Sequence, residues 1–176
     1  MKSALSSLFK LLPSAVAEDI QKKILTAFEE RFIAGEDFYL SEENSYKRLL
    51  EEYEKYKLII AYDFDNTVFD YNEKGYGFEN VIELLRVCKE IGCYLTVFTS
   101  DGPERIPQIE SHLKANNIPY DGINENPDII KFNGRKIYYN ILLDDRSGLP
   151  SAYRILARVA YGVRTRNMQK GMADIA

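Results

Sequence analysis

The run Leu58-Ile59-Ile60-Ala61-Tyr62 is continuously apolar and passes at once into Asp63-Phe64-Asp65-Asn66-Thr67. Without polar alternation a segment has no face for water, so it reads as a strand covered on both sides, the kind found in parallel sheets. The pattern recurs. Tyr94 to Phe98 is a second apolar strand, ending in Thr99-Ser100-Asp101, and Ile141-Leu142-Leu143 is a third, running into Asp144-Asp145-Arg146. Phe78, Val81, Ile82, Leu85 and Cys88 lie at helical spacing between the first two and stop at Gly92. Pro103 reads as opening a second helix with Ile106, Ile109 and Leu113, and after Pro150 a third carries Ile155, Leu156 and Val159 to Gly162, beyond which the chain reads as frayed. Strands alternating with helices predict an α/β fold, a three-layer doubly wound sheet, mostly parallel, with helices on both faces. A hairpin is also expected, because Ile129 to Phe132 and Arg135 to Tyr138 flank Asn133-Gly134, a pair that tolerates the positive φ angles of a two-residue turn.

Upstream, Val16, Ile20, Ile24, Phe28 and Phe32 form one helical stripe, and Tyr46, Leu49, Leu50, Tyr53 and Tyr56 a second. Three regions follow: a helical extension over 1–57, the α/β domain over 58–163, and a basic tail over 164–176. Arg154, Arg158, Arg164, Arg166 and Lys170 against Asp174 make residues 151–176 locally positive. This region reads as a solvated helix end, with a hold on a polyanion as the alternative. The whole chain carries 23 Lys plus Arg against 27 Asp plus Glu, a net charge of -4, which argues against a surface that binds nucleic acid throughout. No stretch approaches the roughly 18 to 20 apolar residues of a membrane span. Met1 to Ala17 has the outline of a signal peptide, but Lys10 and Pro13 interrupt its apolar core. With Cys88 and Cys93 as the only cysteines and His112 as the only histidine, there is no zinc spacing, and a reduced, cytoplasmic protein is expected.

Ligands of such sheets bind beyond the carboxyl ends of the strands, where all three polar clusters fall. Asp63, Asp65, Asp144 and Asp145 gathered there would repel one another, so a hard divalent cation is expected, magnesium first. Alternation in an extended segment puts Asp63 and Asp65 on one side and Phe64 on the other. Asp63 could then attack phosphorus in line while Asp65 protonates the leaving oxygen and later activates water. Thr99 and a lysine could meet the phosphoryl oxygens.

Asp63-Phe64-Asp65-Asn66-Thr67, the strand ending at Thr99, and Leu142-Leu143-Asp144-Asp145 resemble the motifs of the haloacid dehalogenase superfamily of phosphohydrolases, over residues 58 to about 160. Asn124-Glu125-Asn126-Pro127 and Lys136-Ile137-Tyr138-Tyr139-Asn140 with the strand and Asp144-Asp145-Arg146 are similar to its small capless members of bacterial and phage type. The resemblance implies that Asp63 is nucleophile and Mg2+ ligand, Asp65 acid and base with its carbonyl on the metal, Asp144 a direct ligand, Asp145 a ligand through water, and Thr99 a phosphoryl-binding residue. Lys136 is taken as the family lysine over Lys131, because it stands eight residues before Asp144 (144 minus 136). Asn66 stands where glycine is frequent in that family, and asparagine also tolerates left-handed backbone.

About ten residues separate Thr67 from the first helix, and Ser100 to Lys136 holds a helix, a short strand and the hairpin, so neither interval houses a cap domain. A phosphorylated small metabolite, a nucleotide and a nucleic-acid end are all open as substrates. A receiver domain does not fit, because its acidic pair follows the first strand and its phosphorylated Asp a middle one. Gly75-Tyr76-Gly77 is no dinucleotide loop, since Asn80 occupies the third glycine position. His112 reads as a boundary residue. The expected function is a Mg2+-dependent phosphatase. The alternative is a non-catalytic interaction protein that oligomerises or binds a partner through residues 1–57.

Overall fold

The computed structural model describes residues 38–131, 134 and 136–173, together with 16, 18–20, 22, 23 and 25–27. Two compact units divide the chain, residues 1–44 and 45–176. In the first, the described residues between 16 and 27 are helical, Val16 and Ile20 among them, and Lys23 pairs with Asp19 at 2.7 Å. Ile24, Phe28 and Phe32 of the expected stripe lie outside the described residues. A 3-10 turn, Phe38–Leu40, leads to Ser41, whose Oγ accepts the Asn44 backbone N–H at 3.2 Å. That serine cap starts helix α1, Glu42–Tyr56, whose first turn carries Glu42 and Glu43 and whose last carries Lys55, as the helix dipole favours.

The second unit is built on strands β1 (Ile59–Tyr62), β2 (Tyr94–Val97), β3 (Gly122–Ile123) and β4 (Ile141–Leu143), with helices α2 (Glu79–Glu90), α3 (Ile106–Ala115) and α4 (Leu149–Ala173). Their order is β3-β2-β1-β4 and every pairing is parallel, with Ile60 opposite both Leu95 and Ile141, and Tyr62 opposite both Val97 and Leu143. All of β1 is buried, as its apolar run requires. Side chains pin the short outer strands where they begin. Asn140 Oδ1 accepts the Ile59 N–H at 2.7 Å while its own N–H donates to the Ile59 carbonyl at 2.8 Å, and Asp121 makes the same two bonds to Leu95. Ile60, Tyr62, Leu84, Leu95, Ile109, Leu143 and Leu156 fill the core, each such burial contributing about 1.5 to 3 kcal/mol. α2 packs on α4 and β2, and α4 on β4.

Four boundaries differ from the sequence reading. Leu49 and Tyr53 of α1 are buried in this core, and the Tyr53 hydroxyl donates to the Ile91 carbonyl at 2.9 Å, so the second apolar stripe belongs with the sheet rather than to an extension ending at residue 57. α4 runs unbroken to Ala173 through Gly162, so residues 164–173 are helix, with Arg164 and Arg166 paired to Glu90 and Glu54 at 3.3 and 3.1 Å. Pro103 sits in a turn, and α3 begins three residues later with a different proline, Pro107, in its first turn. Among the described residues the expected hairpin has no strand on either side of its turn. Residues 129–131 and 136–139 carry no strand, and Phe132, Asn133 and Arg135 lie outside the described residues. A local turn signal without a neighbouring strand to complete the ladder is too weak to order two short segments. Among the described residues no helix is long and apolar enough to cross a membrane.

Candidate active site

From β1 the chain crosses to β2 and β3 on one side and returns to place β4 on the other. Connections that leave adjacent strands in opposite directions open a crevice at their carboxyl ends, here between β1 and β4. Asp63 follows β1 directly and Asp144 follows β4, and the Asp63 N–H extends the ladder by donating to the Leu143 carbonyl at 2.8 Å. One carboxylate oxygen from each of Asp63, Asp144 and Asp145 lies within 4.8 Å of the others. Buried Thr67 ties the two loops together, its Oγ1 accepting the Asp145 N–H at 3.2 Å and lying 3.5 Å from Asp63 Oδ2. Arg146 N–H donates to Asp144 Oδ1 at 2.7 Å.

The loop after β1 turns tightly. The Phe64 carbonyl accepts from the N–H groups of Val68 and Phe69, both at 3.1 Å, and Asn66, at φ +56°, adopts the left-handed backbone that asparagine tolerates. Phe64 turns inward, as alternation requires, stacking on Phe69 at 5.1 Å, with the edge of His112 against both rings. His112 is therefore a packing residue.

Burial raises the Asp63 carboxyl to about 6, the Phe64 backbone N–H opposes the rise, and the nearby charges of Asp144, Asp145 and Asp65 add to it. A six-coordinate Mg2+ with bonds of about 2.1 Å sets its ligand oxygens roughly 3 to 4 Å apart, so these three, within 4.8 Å of one another, could hold one hard cation by closing slightly on it.

Asp65 faces a different neighbour. Arg105 grips it with a fork, Nη2 to Oδ1 at 2.8 Å and Nη1 to Oδ2 at 2.7 Å, and Nη1 also donates to Asp101 Oδ2 at 2.6 Å. Asp101 in turn accepts from Thr99 Oγ1 at 3.1 Å and returns its backbone N–H to the same hydroxyl. Asn124, itself at φ +52°, clasps the Thr99 backbone, accepting its N–H at 3.0 Å and donating to its carbonyl at 2.6 Å. A cleft of about 470 Å³ is lined by these acidic groups with Thr99, Ser100, Arg105 and Arg146, and by Tyr71 and Phe98. The chain matches no family model, no curated protein and no solved structure. The residues themselves therefore carry the functional reading.

Asp63, Asp65, Thr99, Asp144 and Asp145 all line the cleft, as their places at the strand ends predict. Lys136 does not. Its Nζ lies 5.6 Å from the centre of the Tyr139 ring, which stands 6.1 Å from Phe98, and Lys131 is exposed and likewise outside the lining. Among the described residues the cations of the cleft are Arg105 and Arg146. Sequence reasoning missed Arg105, the clasp of Asn124 and the tie made by Thr67. The spacing of Asp101 and Arg105, four apart, was the one visible signal; the contact that matters spans forty residues.

Proposed function

We propose that this chain is a magnesium-dependent phosphohydrolase of the haloacid dehalogenase type, cleaving a phosphomonoester through an aspartyl-phosphate on Asp63. The observation that carries the reading is the meeting of Asp63, Asp144 and Asp145 at the ends of neighbouring parallel strands, with Asp65 beside them in one cleft. Asp63, Asp144 and Asp145 would hold the cation, with Asp65 adding its backbone carbonyl as the family resemblance implies. When bound, Mg2+ supplies the positive charge that favours ionised Asp63 beside two other carboxylates and draws charge from the phosphoryl oxygens. Asp63 then attacks phosphorus as the ester bond breaks, and Asp65 gives a proton to the departing oxygen. Water next attacks the aspartyl-phosphate, Asp65 takes its proton, and phosphate leaves. Thr99 can offer its hydroxyl to the phosphoryl group only by letting go of Asp101, whereas Ser100 lines the cleft beside it. In place of Lys136, the cation left available to the phosphoryl oxygens is Arg146, which also lines the cleft.

Among the described residues no further domain is inserted between β1 and α2, and α3, β3 and connecting loop are what separate β2 from β4. Phosphate on a small metabolite, a nucleotide or a nucleic-acid end accordingly all fall within this reading. Phosphate release from a panel of these three classes tests it, run with Mg2+, with chelator and with Asp63→Asn. Release that requires Mg2+ and falls by roughly a thousandfold or more in Asp63→Asn is expected. Retained activity in that folded variant would sink the mechanism.

A further inference from the structure

We infer that Arg105 is the positioning residue that aims Asp65 at the water molecule releasing phosphate from Asp63. The inference rests on the phosphohydrolase reading above. An aspartate in an open cleft is free to rotate about its side-chain bonds, and a base that wanders by even an ångström from its proton forfeits much of its rate. Arg105 removes that freedom. Its two-point fork, at 2.7 and 2.8 Å, fixes both the direction and the plane of the Asp65 carboxylate, which a lysine's single point charge cannot do. The guanidinium is itself held, by the Asp101 carboxylate at 2.6 Å and over the rings of Tyr71 and Phe64, whose centres lie 5.2 and 5.8 Å away. With side-chain exposures of 20% for Arg105 and 27% for Asp65, the pair is shielded enough to persist and open enough to meet water.

The contacts favour positioning over substrate binding. Nη1 gives both of its hydrogens to carboxylates and Nη2 gives one, so the guanidinium is largely committed before any phosphate arrives. Each Asp65 oxygen keeps a further lone pair with which to accept a proton from water. In the step concerned, the water oxygen bonds to phosphorus, the bond between phosphorus and the Asp63 oxygen breaks with its electrons returning to Asp63, and the water proton passes to Asp65. Through Asp101 the same arginine also sets the Thr99 hydroxyl, so one side chain joins the loops after β1 and β2.

The test uses the full chain with Mg2+ and 4-nitrophenyl phosphate, whose leaving group departs without needing a proton. In Arg105→Met the first equivalent of nitrophenolate should appear within about threefold of the wild-type rate, while steady turnover falls roughly 10- to 100-fold and the acid-quenched chain carries a phosphoryl group. Arg105→Lys keeps the charge without the fork and should show the same split to a smaller degree, and it carries the test should the methionine variant not fold. A purely structural role, or a role in binding phosphate, would slow the first turnover as much as the later ones. Either that result or unchanged steady turnover overturns the inference. No nitrophenolate from the wild-type chain would instead bring down the phosphohydrolase reading itself, before any variant is compared.

Discussion

Two groups of carboxylates share the cleft and differ in one respect. Asp65 and Asp101 have Arg105 between them, whereas Asp63, Asp144 and Asp145 approach within 4.8 Å with backbone N–H groups and the Thr67 hydroxyl around them. In the first group the chain provides its own counter-charge and a fixed geometry results. In the second, burial and mutual repulsion push the Asp63 carboxyl up to about 6, and the balance is left to something from outside. On the proposed reading the contrast separates two tasks: one carboxylate is oriented, and the others would hold a cation.

The largest effect that should follow from this contrast is stabilisation by metal. At a hundredfold excess over its dissociation constant a ligand of the native state contributes about 2.7 kcal/mol, so Mg2+ should raise the melting temperature by roughly 5 to 10 °C. Asp144→Asn should remove most of that rise while leaving the metal-free protein as stable as before, or more so, because a repelling charge is gone. An equal rise in Asp144→Asn, followed by differential scanning fluorimetry, would place the cation elsewhere.

A smaller effect is expected at the other group. Arg105→Met leaves Asp65 and Asp101 facing each other half-buried, and urea denaturation should find the chain about 1 to 2 kcal/mol less stable. That loss should not change with Mg2+. A loss that disappears with the metal would mean the two groups act as one.

A further effect is in pH. Asp63 holds its proton more tightly folded, at about 6, than unfolded, at 3.8, so protonation favours the native state. Its contribution is fully present below about pH 4 and is lost as the pH rises through about 6. Without metal, the melting temperature of the wild type should therefore fall relative to Asp63→Asn between pH 4 and 6.5. Parallel curves would show that Asp63 is not the strained member.

Much of this arrangement was readable because it is coded by continuous runs. Leu58 to Tyr62, Tyr94 to Phe98 and Ile141 to Leu143 could only be strands covered on both faces, and each delivers its acidic or hydroxyl residue to the same sheet edge. Asn66 was equally legible, since its left-handed φ suits its residue type. Arg105 was not, because nothing in a turn between Pro103 and α3 reveals a partner forty residues earlier. Lys136 was placed by its distance from Asp144, and that spacing fixes position along the chain without fixing direction when the intervening segment forms no ladder. The second apolar stripe was visible as a helix, but a stripe does not say what it covers, and Leu49 and Tyr53 turned out to cover this core.

In the proposed mechanism Asp63 is the residue that bonds to phosphorus. The most direct measurement is to quench a reaction with 4-nitrophenyl phosphate and Mg2+ in acid, digest the chain and find the phosphorylated residue by mass spectrometry. A phosphoryl group on Asp63, absent with chelator, is the predicted result. Turnover with the phosphoryl group on another residue, or with water attacking the ester directly and no labelled chain even in Arg105→Met, would contradict it.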